Sequence, residues 1–182
     1  MFLMIEIMFN LFSLFLYHKL FTMNPSFNKF SRIITNPIAF RFFLFQKLPA
    51  AFFAGLRIHH FDAEKCIVRI RYSWFTMNPF KSVYFAVEAM AAEMCSGMLA
   101  FGQVYQRNPK VSMLVVKMEV VFVKKATGVI LFSCEDGLSI QNAIDETITT
   151  KEGKTIVCKS IGRNEANEVV AEFNFTWSFK AK

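Results

Sequence analysis

The hydrophobic residues of this chain are most concentrated between Ser82 and Gln106, where the only charged residues are Glu88 and Glu93. A segment of this length that is apolar on every side predicts a long buried helix, wrapped by the rest of the domain. Pro79 precedes it, and a proline near the entry with Ser82 as N-cap is typical of a helix start. Buried carboxylates are costly unless they are paired or used, so both acids need an explanation.

Elsewhere, apolar positions alternate with polar ones, which is the pattern of β-strands that bury one face. The alternation is clearest in residues 169–180, where the odd-numbered residues are apolar and most even-numbered ones are polar. In another run, Val116, Met118, Val120 and Phe122 are predicted to share one face. Strands are predicted for Leu56–Phe61, Cys66–Trp74, Val111–Lys125, Val129–Glu135, Thr155–Arg163 and Val169–Lys180.

Two short helices are predicted before the first strand, because residues 26–47 show helical spacing that Asn36-Pro37 interrupts. Ala51–Gly55 is interpreted as a connector, and Leu138–Thr150 as a small helical insertion between strands. Grouped strands with one segregated helix indicate an α+β domain, with an antiparallel sheet curved around the long central helix. We divide the chain into an apolar extension (1–22), an N-terminal helical part (23–47) and a main domain (48–182).

Composition narrows the classes of function. The net charge of +7 favours an anionic partner such as a phosphate or a membrane surface. The basic residues are not clustered with exposed aromatic residues, which argues against nucleic acid. The four cysteines form no CxxC pair, so they are predicted to be core residues of a cytoplasmic protein. With three histidines and no ligand spacing, no metal site is predicted.

The first 21 residues are almost entirely apolar and leave three interpretations open. They are a dispensable extension if translation starts at Met23, a membrane-associated helix, or a targeting peptide. A spanning helix needs about 20 apolar residues, and Glu6 weakens that pattern. Membrane contact through residues 1–21 would follow from the second interpretation, and the protein would then be membrane-associated.

The segment NPFKSVYFAVEAMAAE places Asn78 at a strand-to-helix turn and an acid, Glu93, fifteen positions later. This pattern is similar to that of hotdog-fold thioesterases of the phenylacetate-pathway type. In that family an asparagine opens the loop, a His-Gly-Gly run starts the central helix, and a helix carboxylate is base or nucleophile. The chain has Tyr84-Phe85-Ala86 at the His-Gly-Gly positions. The closing stretch also resembles the DUF4442 branch of the fold, and the resemblance covers about Leu48–Lys180.

The resemblance implies a thioesterase that hydrolyses acyl-CoA or acyl-carrier thioesters, with coenzyme A as part of the substrate and no separate cofactor. Glu93 would be the general base or nucleophile, Asn78 would orient water or the carbonyl, and the Val83–Ala86 amides would hold the oxyanion. It also implies a homodimer or homotetramer. The predicted substrate-binding and oxyanion residues are Ser82, Tyr84, Phe85, Ala86, Ser96 and Gly97.

The two acids are expected to do different things. Five positions separate Glu88 from Glu93, so they point roughly 140° apart and cannot line one pocket as a pair. Small neighbours such as Ser96 and Gly97 leave room beside Glu93, whereas Glu88 is predicted to be structural or solvated. The alternative function is a non-catalytic hotdog module that binds a fatty-acyl or lipid-like ligand. Bulky Tyr84 and Phe85 and the 23 phenylalanines favour it.

Overall fold

A computed structural model describes residues 24–182, so the predicted extension at residues 1–22 lies outside the described part of the chain. The helices are α1 (Phe27–Thr35), α2 (Pro37–Lys47), α3 (Pro49–Phe53), α4 (Phe85–Val104) and α5 (Gly137–Thr150). The strands are β1 (Arg57–Phe61), β2 (Cys66–Arg71), β3 (Val111–Phe122), β4 (Val129–Cys134), β5 (Lys154–Arg163) and β6 (Val169–Ala181).

The six strands form one antiparallel sheet in the order β1-β2-β4-β5-β6-β3. Helix α4 contacts β2, β3, β4, β5 and β6, so the sheet packs around this one helix. The α+β hotdog arrangement that the sequence predicts is therefore confirmed. Helix α4 is long and apolar enough to cross a membrane, but 67% of its apolar window is buried inside the protein, as in a core helix.

Strand β6 provides more buried aromatic residues than any other element of the described chain, as its alternation predicts. Phe173, Phe175, Trp177 and Phe179 are buried, while the polar residues that alternate with them are half-exposed. The prediction for β2 is wrong at its C-terminal end: the strand stops at Arg71, and Trp74 lies in the following loop with 82% of its surface exposed. The four cysteines are free and buried, as small core residues should be.

Strand β3 lies at one edge of the sheet and pairs only with β6 among the described residues. A bulge between Val115 and Lys117 leaves Val116 without a register partner on β6, so the alternation that places Met118, Val120 and Phe122 on one face starts only after Val116. Beyond the bulge, Met118 is opposite Phe175 on the core side of the sheet. Much of this edge is apolar and exposed, including Leu114, Val116, Val121 and Phe122.

The N-terminal helices belong to the same core as the sheet. Asn36 separates α1 from α2 and caps α2, because its side chain accepts hydrogen bonds from the Ile38 and Ala39 amides, each at 3.0 Å. Phe30 of α1 packs edge-on against Phe101 of α4, with ring centroids 5.2 Å apart. The predicted connector before β1 instead contains the short helix α3, which starts at a proline.

Candidate functional site

The loop that leads into α4 is organised by Asn78. Its Nδ2 donates to the Ser82 hydroxyl (3.0 Å) and the Val83 carbonyl (3.3 Å). Its Oδ1 accepts from the Phe80 amide (2.9 Å) and the Ser82 amide (3.2 Å). A side-chain amide has two donor hydrogens and two acceptor lone pairs, so these four contacts use its full capacity. Asn78 therefore shapes the loop in this state, with no group left over to orient a water molecule.

The predicted N-cap is wrong. Helix α4 begins at Phe85, and Tyr84 occupies the N-cap position without a side-chain hydrogen bond to the helix. Ser82 lies before that position, where its hydroxyl is held by Asn78. Asparagine side chains readily close turns by bonding to nearby groups, and Asn78 here bonds both the hydroxyl and the amide of Ser82.

Two backbone amides at the helix start remain available. Of the four predicted oxyanion donors, the Val83 amide donates to the Ala126 carbonyl (2.8 Å) and the Tyr84 amide to the Thr76 carbonyl (2.7 Å). The Phe85 and Ala86 amides have no partner within residues 24–182. Unpaired amides in the first turn, at the positive end of the helix dipole, suit a carbonyl oxygen that gains negative charge.

A cavity of about 570 Å³ lies at this helix start, and we call it the helix-start cavity. Glu88, with only 4% of its surface exposed, is the acid that lines it. Burial raises the pKa of Glu88 to about 7. The cavity is lined by Asn78, Pro79, Phe80, Ser82, Val83, Tyr84, Phe85, Glu88, Phe122, Val123, Lys124, Lys125 and Ala126.

Glu93 lies in a different cavity of about 310 Å³, which we call the mid-helix cavity. Burial raises the pKa of Glu93 to about 7. A β-carbon at Gly97 would lie 2.7 Å from Glu93 Oε1, so the glycine provides the room that the sequence predicts beside this carboxyl. The cavity is mostly apolar and is lined by Phe43, Lys47, Leu48, Glu93, Gly97, Met98, Phe101 and Met113.

Ser96 does not line either cavity. Its hydroxyl accepts a hydrogen bond from the Trp177 indole (3.0 Å) and donates to the Glu93 carbonyl (3.2 Å), and the residue is fully buried. These contacts tie α4 to β6. Ser96 therefore supports the helix behind Glu93, in contrast to its predicted place beside the substrate.

The structure separates residues that the sequence pattern had grouped. Asn78 and Phe85, whose amide is free, share a cavity with Glu88. Glu93 lies eight positions beyond Phe85, about 12 Å along the helix. One carbonyl cannot contact both the Phe85 amide and Glu93 of the same protomer. Glu88 is the residue that sequence reasoning undervalued. Its position in the first turn could have indicated this role, because helical side chains tilt toward the N-terminus and a first-turn carboxyl therefore lies near the free amides.

The described residues contain no group of three or more histidine, cysteine or acidic side chains that could hold a metal ion. The two cavities and the helix start contain two carboxyl groups and two free amides among largely apolar walls. Such a set can polarise a carbonyl, deliver a proton or take one from water, and hold an apolar chain.

Comparison with known proteins agrees with this architecture. Residues 38–179 match the family described as a domain of unknown function, DUF4442. None of the curated proteins matches the sequence significantly. Among solved structures, a probable thioesterase of unknown function from Pseudomonas aeruginosa is 19% identical with a TM-score of 0.68, and the match covers 82% of this chain and 99% of that one.

Two further neighbours are described as thioesterases. The protein from Haemophilus influenzae is 12% identical with a TM-score of 0.56, over 80% of this chain and 91% of that one. A thioesterase variant from Pseudomonas aeruginosa is 12% identical with a TM-score of 0.59, over 75% of this chain and 89% of that one. At these identities the likeness shows the thioesterase-like hotdog fold.

Proposed function

Since this chain belongs to the DUF4442 family and has the fold of described thioesterases, we propose that it hydrolyses acyl-CoA or acyl-carrier thioesters. The observation that carries the proposal is Glu93, a half-buried carboxyl whose pKa is raised to about 7 by desolvation, in an apolar cavity of about 310 Å³. A base that titrates near neutral pH is well matched to the activation of water. The free, buried cysteines fit a reducing cytoplasmic setting.

In the proposed reaction, Glu93 takes a proton from water while the water oxygen bonds to the thioester carbon. The electron pair of the C=O bond moves to the carbonyl oxygen, which the Phe85 and Ala86 amides hold. The C–S bond then breaks as the C=O bond re-forms, and the sulfur leaves with the electron pair and takes the proton from Glu93. The products are a carboxylic acid and a thiol.

This reaction needs the amides and Glu93 to meet, and a homodimer would bring them together. The outer edge of β3 has no partner within the described residues, and its exposed Leu114, Val116 and Val121 would favour pairing with a second copy. A twofold axis through the middle of Val111–Phe122 would pair the two β3 strands antiparallel. Phe122 would then lie opposite Val111 of the partner subunit.

That register would place two different cavities side by side. Phe122 lines the helix-start cavity, and Met113, close to Val111, lines the mid-helix cavity. Each composite site would therefore combine the Phe85 and Ala86 amides of one protomer with Glu93 of the partner subunit. Lys124 and Lys125 border the same opening, where they would exchange their contacts with Glu168 and the Phe80 carbonyl for the phosphates of coenzyme A.

A panel of acyl-CoA substrates of different chain length, assayed with wild-type protein and Glu93→Ala, tests the proposal. We expect hydrolysis of at least one substrate by the wild type and a loss of roughly 10²–10⁴-fold in the variant, the usual contribution of a general base. Circular dichroism shows whether the variant is folded. Unchanged turnover in a folded Glu93→Ala protein would exclude this mechanism.

One observation favours a second function, the binding of a fatty-acyl or lipid-like ligand without hydrolysis. Tyr84 and Phe85 stand at the helix start with ring centroids 4.8 Å apart, and 46% and 53% of their surfaces are exposed. These bulky side chains flank the amides that a thioester must approach. Under this function, an acyl ligand would co-purify with the protein and no substrate in the panel would be hydrolysed.

A further inference from the structure

Glu88 has no structural task that explains its burial. It lies in the first turn of α4, and 4% of its surface is exposed. Its Oε2 atom is buried and has no hydrogen-bond partner within residues 24–182. An ionised carboxylate in that position would lose its hydration without gaining a hydrogen bond or a counter-ion, which costs folding free energy. A buried polar group of this kind indicates a functional role.

The surroundings of Glu88 also provide no counter-ion. The two cations that line the helix-start cavity are engaged elsewhere, because Lys124 pairs with Glu168 (2.6 Å) and Lys125 donates to the Phe80 carbonyl (3.2 Å). The remaining walls near Glu88 are largely aromatic and aliphatic. The protonated form of Glu88 is therefore favoured, and a protonated carboxyl group has an O–H that can donate a hydrogen bond.

Two residues with a free donor then line one cavity, Glu88 through its carboxyl O–H and Phe85 through its unpaired amide, and the unpaired Ala86 amide is next in the chain. We propose that Glu88 is a substrate-binding residue that donates a hydrogen bond to the carbonyl oxygen of the acyl ligand, beside these two amides. The assignment rests on the proposed function, and it gives Glu88 a different task from Glu93. Glu88 keeps its proton throughout, while Glu93 exchanges one with water and sulfur.

Two unreactive ligands isolate this contact. In the ketone analogue of octanoyl-CoA, a CH₂ group replaces the sulfur and the carbonyl is kept. In S-octyl-CoA the sulfur is kept and the carbonyl is absent. Their dissociation constants are measured by calorimetry for wild type, Glu88→Gln, which keeps a donor, and Glu88→Leu, which has similar volume and no donor. Thermal unfolding of both variants confirms that they fold.

We expect Glu88→Leu to weaken binding of the ketone about tenfold, the size of one good hydrogen bond, and to leave S-octyl-CoA within about threefold. Glu88→Gln should keep ketone affinity within about threefold of wild type. Equal effects of Glu88→Leu on both ligands, or none on either, would overturn the role of Glu88 while leaving the proposed hydrolysis intact. If wild-type protein binds neither ligand type at any chain length of the panel, the proposed function itself fails.

Discussion

Helix α4 carries two glutamates that differ in what surrounds them, since Glu88 is buried and Glu93 is half-buried. Burial raises the pKa of both to about 7. Glu88 stands in the first turn, where the Phe85 and Ala86 amides are unpaired. Glu93 lies in the helix middle, where amides are used by i→i−4 hydrogen bonds. A carboxyl at the helix start can therefore share a ligand with backbone donors, whereas one in the middle must work with water or with groups from another element.

The largest expected effect on activity is that of Glu93→Gln, and the same substitution at Glu88 is its matched comparison. Glu93→Gln removes the proposed base and should lower kcat roughly 10²–10⁴-fold. Glu88→Gln keeps a hydrogen-bond donor in the helix-start cavity and should leave kcat within about threefold of wild type. Steady-state assays on the fastest acyl-CoA of the panel measure both. If Glu88→Gln is the more damaging change, the two roles are reversed.

The room beside Glu93 can be tested through Gly97. A methyl group there would lie 2.7 Å from Glu93 Oε1 and 3.4 Å from the Trp177 ring, so Gly97→Ala must displace the carboxyl. A displacement of about 1 Å at a reacting group costs on the order of 10²-fold, and we expect a fall of that order in kcat/KM.

Gly153→Ala is the matched control, because a methyl group there meets nothing closer than 3.8 Å. This variant should keep both kcat/KM and the melting temperature of the wild type. Wild-type kcat/KM in Gly97→Ala would mean that Glu93 is free to move away and is not held in a working position.

The fold could be predicted from the sequence because its elements follow strong local patterns. The alternation of β6 and the apolar run of α4 each correspond to one burial pattern in the structure. The predictions fail where a contact with another part of the fold overrides a local preference. Serine is a favoured N-cap residue, but the Ser82 hydroxyl is hydrogen-bonded to the Asn78 side chain instead. Val116 belongs to an alternating run, but a bulge removes it from the register.

The candidate site could be predicted only in part. The spacing from Asn78 to Glu93 is visible in the sequence, but it does not reveal that a cavity boundary lies between them. Nor does it reveal that the four hydrogen-bonding positions of the Asn78 side chain are used by its own loop. Which amides are free depends on contacts outside the helix, with the Thr76 carbonyl in the preceding loop and the Ala126 carbonyl between β3 and β4. Those contacts exist only after the sheet has formed.

The pH dependence of kcat/KM distinguishes the two acids further. Glu93 must be ionised to act as a base, so activity should rise as pH increases through about 7. Glu88 must be protonated to donate, so activity should fall again as pH increases past about 7. Wild-type protein should therefore give a narrow bell-shaped profile centred near neutral pH.

Glu88→Gln should remove the alkaline limb alone, because an amide does not titrate. The other titratable or charged groups that line the helix-start cavity are Tyr84, Lys124 and Lys125, and they are the same in both proteins. The difference between the two profiles therefore reports on Glu88. An alkaline limb that persists in Glu88→Gln would assign it to another group.

The smallest effect tests whether the two cavities meet across β3. In the proposed register, Leu114 on the outer face lies opposite Glu119 of the partner subunit, and symmetry repeats the pair. Leu114→Glu creates two like-charge pairs and Leu114→Lys two opposite-charge pairs. Each pair is worth about 0.2–0.3 kcal/mol, the low end for exposed charges, because Glu119 already pairs with Lys117 (3.0 Å). We therefore expect the dimer of Leu114→Glu to dissociate a few-fold to tenfold more readily than that of Leu114→Lys in analytical ultracentrifugation. Added salt should reduce the difference, since exposed charges are screened. Equal dissociation constants for the two variants would reject this register, and with it the joining of the Phe85 and Ala86 amides to Glu93 of the partner subunit.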